Sequence, residues 1–505
     1  LSVDGFTGPT PFTYSVIVGS NNSVSAPDQQ SLGGSDYVFS AWSDHGAQSH
    51  TILAGSTPAT YSASYIPAPN ISKTWYFGEG YTGSGFSEFL TLANPNSGPA
   101  AVQVQYLLDV GSPVVKNYNV AANSRYTVYV NGEVPAGRGV SMVVTANVPI
   151  VAERPMYFFY TGHPSTSIPG GTDVLGATAL GTQFDFGYLD TNNASGAVHD
   201  TFLTILNPQS AAMDVTINYY AAAGGAAIVR THSVPANSRG TVFVGSEGLP
   251  AGQYGALVTL SAPGLVERPL YLVDSVTGYT GSADVVGVPN LLTHWYFAEG
   301  YTSATFSERY ILFNPSGSAT SATVTFLKSD GSTVAVPVSL AAGAQQVVDA
   351  NSVLGSTGVN NSATVTAAQP ILAERFMSFS FAGASAIPGA TDVIGAPAPG
   401  YISYFAEGYS GTGFSEFLTL ENPDPTNTAD VTVKYLPQNG GAPTIQTYAV
   451  APHSRYTVYT NAVMPGQSFS MVVQSDVPIV AERPMYFNYN SSGQTGGSDV
   501  VGYQP

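Results

Sequence analysis

Apolar and polar residues alternate along most of the chain in short runs that Gly, Pro and Asn separate. One such run, Ala101–Leu107, reads AVQVQYL. Alternation of this kind over four to eight residues is typical of a strand with one buried face. Long stretches with the helical period of apolar residues are absent from the sequence. The pattern therefore predicts an all-β protein.

The runs recur with a long period. The segment VPIVAERPMYF occurs at Val148–Phe158 and again at Val477–Phe487, with two diverged copies at Gly264–Leu272 and Gln369–Phe379. An Asn-Pro pair begins at residues 94, 207, 314 and 422, so its steps are 113, 107 and 108 residues. Repeats set the domain count. We expect a small N-terminal β-sandwich module over 1–69 and four repeats over 73–180, 183–290, 294–398 and 401–505.

Each repeat has the size of one β-sandwich domain. Turn residues divide repeat 1 into seven strands between Thr74 and Tyr160, the number found in immunoglobulin-like sandwiches. The Asp-Val-x-Gly segment that follows is interpreted as a closing turn. Short linkers such as Ala177–Thr182 should hold neighbouring domains in a fixed relation. The sequence thus predicts tandem immunoglobulin-like β-sandwich domains in a rod-like array.

Composition excludes several classes of function. The 505 residues include 14 Lys+Arg against 32 Asp+Glu, a formal net charge of −18, which disfavours nucleic acid and anionic membranes as partners. The absence of cysteine excludes disulfides and thiolate metal sites. Apolar runs fall short of the ~20 residues of a membrane span. Because Leu1 opens directly into a strand-like pattern, we expect a leader or further domains upstream.

Strand parity places charged residues on apolar faces. In FSEFLTL, Glu88 shares its face with Leu90 and Leu92, and in IVAERPMYF, Arg154 shares its face with Met156. An unpaired buried charge costs several kcal/mol. The sequence therefore predicts buried ion pairs within repeats: Glu88–Arg154, Glu308–Arg375 and Glu416–Arg483.

The same carboxylates and their neighbours allow other interpretations. Glu79 and Glu88 could form a glycosidase-like pair, but three copies in one chain favour a structural role, and no catalytic residue is assigned. The Asp-Val-x-Gly segments could bind calcium, which is the one cofactor considered. Such residues more commonly form turns. Their aspartates are Asp173, Asp284, Asp392 and Asp499. Rows of tyrosine, such as Tyr126–Tyr129 and Tyr157–Tyr160, could bind sugar or a neighbouring subunit, or pack across strands.

Two resemblances add to this reading. WYFAEGYT (295–302), followed by FSE, Asn-Pro and AERF, with AERPMYF in repeats 1 and 4, resembles a tandem-repeat family of secreted bacterial proteins without assigned activity; the likeness covers 73–505. Repeat 2 departs from it, with FGYLDTN at 186–192. WSDHGAQSH (42–50) and TYSASY (60–65) resemble a small accessory β-sandwich module. There, Asp44, His45 and His50 can be read as metal ligands or as a polar turn, which we favour. The resemblances imply an exported protein and supply no catalytic residues.

These observations lead to one functional expectation with an alternative. The expectation is a non-enzymatic, extracellular structural protein: a subunit of a bacterial surface fibre, sheath or layer, or an adhesive stalk, which associates with itself. The alternative is an array of carbohydrate-binding modules in a larger secreted enzyme, with surface glycans as partners. A solvent-exposed aromatic platform at one place in every repeat would favour the alternative.

Overall fold

The computed structural model describes residues 1–27, 29–33, 35–44, 46–162, 166–191, 198–382, 386–438, 440–491 and 493–505. Most of the described residues lie in strands, with two short α-helices and two 3₁₀ turns. The predicted all-β class, with β-sandwich domains in tandem, is confirmed. Within the described part of the chain, none of the helices is both long and apolar enough to cross a membrane.

The N-terminal module consists of seven short strands in two small sheets, ordered β2-β1-β3-β6 and β4-β5-β7. Its strands are β1 (Ser2–Val3), β2 (Phe6–Thr7), β3 (Asn21–Ser25), β4 (Gln29–Leu32), β5 (Ser35–Trp42), β6 (Ser49–Leu53) and β7 (Ala63–Pro67). Trp42 is buried at the centre of its core. The module packs on repeat 4, where the Gln474 side-chain amide donates a hydrogen bond to the Phe39 carbonyl.

Each repeat contributes seven or eight strands to a sandwich. Repeat 1 has β8 (Thr74–Phe77), β9 (Phe86–Asn94), β10 (Ala100–Leu108), β11 (Val114–Val120), β12 (Ser124–Tyr129), β13 (Val140–Ala146), β14 (Val151–Thr161) and β15 (Ser167–Leu175). Repeat 2 has β16 (Gly181–Asp190), β17 (Val198–Asn207), β18 (Met213–Ala221), β19 (Ile228–Val234), β20 (Ser238–Phe243), β21 (Gln253–Val273) and β22 (Thr280–Val286).

Repeats 3 and 4 have the same plan. Repeat 3 has β23 (Leu292–Phe297), β24 (Tyr301–Ser303), β25 (Phe306–Asn314), β26 (Thr320–Lys328), β27 (Thr333–Leu340), β28 (Ala344–Asp349), α1 (Ala350–Leu354), β29 (Thr357–Ala382) and β30 (Ala386–Ile394). Repeat 4 has β31 (Gly400–Phe405), β32 (Phe414–Asn422), β33 (Ala429–Pro437), β34 (Thr444–Val450), β35 (Ser454–Tyr459), α2 (Thr460–Val463), β36 (Phe469–Tyr489) and β37 (Gln494–Val501).

The two sheets of repeat 1 have the orders β11-β10-β13-β8 and β12-β9-β14-β15. In the other repeats one long strand, β21, β29 or β36, takes the places of β13 and β14 and so runs through both sheets. The Asp-Val-x-Gly segment was predicted to be a turn. Its first three residues instead belong to the last strand of each repeat, because they pair with the strand before it, as Asp173 does with Pro155 and Asp499 with Pro484.

The repeated Asn-Pro pair closes a loop inside each sandwich. The buried Asn94 side-chain amide donates hydrogen bonds to the carbonyl groups of Val120 and Ala121. Asn207 and Asn422 make equivalent bonds, to Val234 and to Val450. A buried amide must have such partners, and Pro cannot extend the strand ladder. The landmark read from the sequence is therefore a loop anchor.

The four sandwiches form a closed ring and not a rod. Arg154 of repeat 1 binds Asp284 of repeat 2, and in the same way Arg483 of repeat 4 binds Asp173 of repeat 1. A rod would leave its first and last repeats apart. The prediction of a rod-like array is wrong, because the contacts between neighbouring repeats set an angle that brings the fourth repeat back to the first.

The axis of the ring is packed with small residues. The last strands of the repeats, β15, β22, β30 and β37, each lie against the corresponding strands of both neighbouring repeats. A Cβ atom on Gly281 would lie 2.4 Å from the Ala390 backbone nitrogen, and one on Gly496 would lie 3.3 Å from the Gly170 Cα atom. Backbones that approach this closely leave no room for larger side chains.

Candidate functional site: the junctions between repeats

The buried arginine of each repeat binds carboxylates of the next repeat. Arg154 Nη2 lies 2.5 Å from Asp284 and 3.3 Å from Glu267. The pattern recurs at all four junctions, which we name 1/2, 2/3, 3/4 and 4/1 after the repeats they join. The other contacts are Arg268 with Glu374 and Asp392, Arg375 with Glu482 and Asp499, and Arg483 with Glu153 and Asp173.

The glutamate of each Glu-Arg pair also binds backbone amides of the preceding repeat. Glu267 accepts hydrogen bonds from the Gly78 amide at 2.6 Å and from the Glu79 amide at 3.1 Å. Glu153 accepts in the same way from Ala406 and Glu407 at junction 4/1. Hydrogen bonds to a carboxylate are stronger than those between neutral groups. At each junction, therefore, the guanidinium group and the glutamate carboxylate both have bonding partners.

The pairing predicted within repeats needs correction. The structure places Glu88, Glu308 and Glu416 in the interior, together with Arg154, Arg375 and Arg483. Among the described ion pairs, however, each of these arginines binds carboxylates from a neighbouring repeat. Parity shows that a side chain points inward, but it cannot show which other chain segment lies opposite.

The three glutamates have other surroundings. Glu308 accepts hydrogen bonds from Tyr310 at 2.7 Å and Asn361 at 2.9 Å, and Glu416 accepts one from the Tyr409 amide. Burial raises the pKa of Glu88 to about 8, and the charge of Arg154 only partly offsets that rise. These carboxylates thus lie near the arginines without being their hydrogen-bonding partners.

The four aspartates considered for calcium are part of the same networks. Asp173, Asp284, Asp392 and Asp499 lie in the last strands of their repeats, and each binds one guanidinium group. Calcium sites use several oxygen ligands arranged around a loop. The placement of these residues in strands, against arginine, is that of an ion-pair network and differs from the loop that the sequence suggested.

Each network has two carboxylates for one guanidinium group. At junction 4/1, burial raises the pKa of Asp173 to about 7, and the charge of Glu153 adds to the rise. Burial lowers the pKa of Arg483, but the carboxylates around it outweigh this effect, so its pKa is raised. A proton on Asp173 makes the group of three neutral, which removes the cost of a net buried charge.

A second charged pair crosses three of the junctions. Arg239 Nη2 lies 2.5 Å from Glu79 at junction 1/2, and the pairs Arg455–Glu299 and Arg125–Glu407 are equivalent. Junction 2/3 has lost both charges together. Tyr188 replaces the glutamate there, and Gln345 replaces the arginine and donates a hydrogen bond to the Gly187 carbonyl. Losing both partners avoids an unpaired buried charge.

Aromatic side chains stack across the same three junctions. The ring centroids of Tyr157 and Tyr489 lie 4.2 Å apart at junction 4/1, with the rings nearly parallel. Tyr160 stacks on Tyr271 at junction 1/2, and Phe381 on Tyr486 at junction 3/4. Each stack is flanked by a further phenylalanine of the second repeat: Phe89, Phe202 or Phe417.

Junction 2/3 replaces this aromatic cluster with polar side chains. Asp274 and Ser378 occupy the positions of the stacked pair, and the Ser378 hydroxyl donates to Asp274 at 2.8 Å. Arg309, in place of the flanking phenylalanine, binds Asp274 at 2.8 Å and lies over the Phe376 ring. One junction of the ring therefore differs chemically from the other three.

Clefts open beside the stacked rings at junctions 3/4 and 4/1. Their volumes are about 310 Å³ and 480 Å³. Equivalent residues line both clefts: the Arg-Glu pair, the stacked aromatic pair, the flanking phenylalanine, a Tyr, a Thr and a Pro. At junction 4/1 these include Arg125, Glu407, Tyr157, Tyr489, Phe89 and Thr127.

The remaining predicted residues have local partners. Glu79 is 3% exposed and binds Arg239, so it and the buried Glu88 share no open cleft of the glycosidase kind. His50 Nε2 lies 2.9 Å from Asp44 in the N-terminal module. His45 lies outside the described residues. Of the tyrosine rows, Tyr129 is 49% exposed and packs against Phe89, whereas Tyr157 belongs to the junction.

Sequence reasoning missed Glu153, Arg125 and Glu407 as junction residues, together with their equivalents. A usable signal was present: repeat 2 lacks the glutamate of FAEG, and repeat 3 lacks the arginine of SRYTVY. These two losses fall in successive repeats. Such a pattern fits a contact between repeats and not one within a repeat.

Comparison with known protein families gives no match. Comparison with curated proteins gives none either. Among solved structures, a Thermotoga maritima protein, 1070, is 18% identical over 21% of this chain and 95% of its own, with a TM-score of 0.18. An Anabaena sensory rhodopsin transducer is 23% identical over 17% of this chain and 98% of its own, with a TM-score of 0.16.

A tetra-tandem repeat from the extending region of a large adhesion protein is 11% identical over 81% of this chain and 92% of its own, with a TM-score of 0.11. All three TM-scores are far below 0.5. The likenesses therefore carry no argument about function.

Proposed function

We propose that the protein is a non-enzymatic structural or adhesive module of the bacterial cell exterior that works as a rigid ring. The observation that carries this proposal is the closure of the ring by equivalent buried networks at all four junctions. Charges that are satisfied inside a packed junction favour one fixed arrangement of the repeats. The resemblance to repeats of secreted bacterial proteins supports the location.

Closure changes how such a module can join others. Every junction face is already occupied within the chain, so rings cannot add end to end through those faces. The outer edge strands β11, β19, β27 and β34 each end a sheet, and Val115, Val229 and Ile445 on them are about half exposed. Free strand edges and exposed apolar side chains are surfaces on which another chain can pair.

Electron microscopy of native material from the producing cells tests this proposal. We expect ring-shaped particles in a regular layer or fibre on the cell surface. Replacing Ile445 with Lys should break the contacts between rings, while the same replacement of the neighbouring Gln446 should have a weaker effect. Particles that are dispersed in the medium and never attached to cells would contradict the proposal.

A second function, carbohydrate binding by the ring, is favoured by the aromatic clefts. The sequence-based test for it was a solvent-exposed aromatic platform at one place in every repeat. One ring of each stacked pair, Tyr157, Tyr271 or Tyr486, is buried, so each pair presents only its other ring to solvent. The stacked pair is present at three junctions and replaced by Asp274 and Ser378 at the fourth. This arrangement supports a binding role for some junctions and not for all.

A further inference from the structure

We propose that the clefts at junctions 3/4 and 4/1 are binding sites for a neutral saccharide. This inference deepens the second of the two functions above. Saccharide binding does not depend on assembly at a cell surface. The failure of the binding proposal can therefore be distinguished from the failure of the proposed structural role. Four observations carry it: the cavities, their unpartnered donors, their aromatic walls and their charge.

The size and shape of the cavities suit one or two sugar rings. Small-molecule sites usually have volumes of roughly 300–1,000 Å³, with aromatic walls and a few polar groups. The clefts, at about 310 Å³ and 480 Å³, fall in the lower part of this range. Both clefts are partly open to solvent.

Both clefts have buried donors that lack a partner. Arg125 and Arg455 are 4% and 6% exposed, and the Nε atom of each has no hydrogen-bond partner within the described part of the chain. The Thr127 hydroxyl at junction 4/1 is also buried without a partner. A buried polar atom without a partner costs about 1–3 kcal/mol. Because these atoms have almost no solvent-accessible surface in the free protein, a ligand hydroxyl would bond to them only after the side chains around the cleft shift.

Aromatic rings also line both clefts. Phe89, Tyr409 and Phe414 line the 4/1 cleft beside the stacked pair, and Phe417, Tyr301 and Phe306 line the 3/4 cleft. The face of a sugar ring that carries C–H groups packs on an aromatic face, while its edge hydroxyls form hydrogen bonds. Both kinds of contact are thus available to one ligand in one cleft.

The charge of the clefts favours a neutral ligand. The guanidinium group of Arg125 is already bound by Glu407, and that of Arg455 by Glu299. The formal net charge of −18 repels polyanions. Proline-rich peptides also bind aromatic surfaces, but they occupy extended grooves. A neutral saccharide therefore fits best.

An array of neutral and charged glycans, probed with the intact chain, tests the ligand class. We expect neutral glycans to bind with a stoichiometry of two by calorimetry, one for each cleft. Three or four equivalents would overturn the assignment to these two clefts. Binding only to charged glycans, only to a proline-rich peptide, or to no neutral glycan would also overturn it.

Thr127→Val tests the site itself. The change removes a buried hydroxyl that has no partner, so stability should stay level or rise. Calorimetry with the neutral glycan found on the array should show one site weakened at least tenfold. Thr241→Val, the same change at the equivalent exposed position of repeat 2, is the control and should leave both clefts unchanged.

A second variant covers the aromatic wall. Tyr157→Ser introduces the residue that repeat 3 has at this position. Binding at the 4/1 cleft should be lost, while the 3/4 cleft keeps its affinity, and thermal denaturation shows whether the ring is intact. Unchanged affinity at both clefts in Thr127→Val and Tyr157→Ser would overturn the proposal.

Discussion

At the scale of single residues, the protein depends on charges that are buried inside junctions. Arg483 is fully buried and binds Glu153 at 2.8 Å and also Asp173. Replacing such a pair by apolar residues can be neutral, whereas removing one partner leaves an uncompensated charge. The sensitive changes are therefore those that remove one member of a network.

The variant Arg483→Met should lower the free energy of unfolding by about 3–5 kcal/mol, because two carboxylates lose their guanidinium partner. Denaturant unfolding measures this. Lys116→Met, which removes an exposed ion pair with Glu133, should cost at most about 1 kcal/mol. Adding Glu153→Gln and Asp173→Asn to Arg483→Met should restore part of the loss. Equal effects of the two single variants would contradict the role of the network.

Glu88 makes stability depend on pH. Burial raises its pKa from 4.5 to about 8 in the folded protein. Between these values the folded state keeps a proton that the unfolded state has released, so stability falls as the pH rises. The slope from one group is at most about 1.4 kcal/mol per pH unit.

Glu88→Gln should remove this contribution. Compared with the natural protein, the variant should have similar stability at pH 4.5 and greater stability at pH 8, as thermal denaturation across this range would show. Glu416→Gln should behave in the same way. Its gain in stability should develop between pH 4.5 and about 7, because burial raises the pKa of Glu416 to about 7. An unaltered pH profile in both variants would rule out this source of the dependence.

At the scale of elements, the last strand of each repeat has a double role. Strand β22 completes the inner sheet of its own repeat, and it also packs against β15 and β30 of the neighbouring repeats at the axis. Glycine and other small residues allow this approach. The sequence GGTDVLG (170–176) looked like a turn because Gly is common in turns, but here Gly is needed for close packing.

Gly281→Ala should destabilise the ring by about 1–3 kcal/mol, because the added Cβ atom would lie 2.4 Å from the Ala390 backbone nitrogen. A thermal scan gives the change in Tm. Gly317→Ala is the control, since a Cβ atom there would have no neighbour within 4 Å. A similar Tm for the two variants would show that the axis can relax.

At the scale of the whole molecule, three junctions are linked by the chain and the fourth is held by contacts alone. The junctions also differ in chemistry, since only 2/3 has Tyr188 opposite Gln345 and Asp274 opposite Arg309. The order of the repeats around the ring is therefore determined by which junction faces carry complementary side chains.

A chain divided between Pro289 and Asn290, in an exposed turn, should reassemble as a one-to-one complex of its halves. Native mass spectrometry after co-expression measures this. A pair of N-terminal halves would bury Arg125 opposite Tyr188, and a pair of C-terminal halves would bury Glu407 opposite Gln345. Each mismatch leaves an unpaired buried charge, which costs several kcal/mol. A statistical mixture of pairs would refute this matching of faces.

The sequence by itself determined the all-β class, the four repeats and the presence of charges on apolar strand faces. These properties follow from local alternation and from comparing copies, as Glu88 beside Leu90 and Leu92 illustrates. Only the tertiary structure decided that the repeats close into a ring and that Arg483 meets Asp173 across 310 residues of chain. The reason is physical: parity sets the direction of a side chain within its own sheet, whereas its partner depends on the angle between sandwiches, which many weak contacts set together.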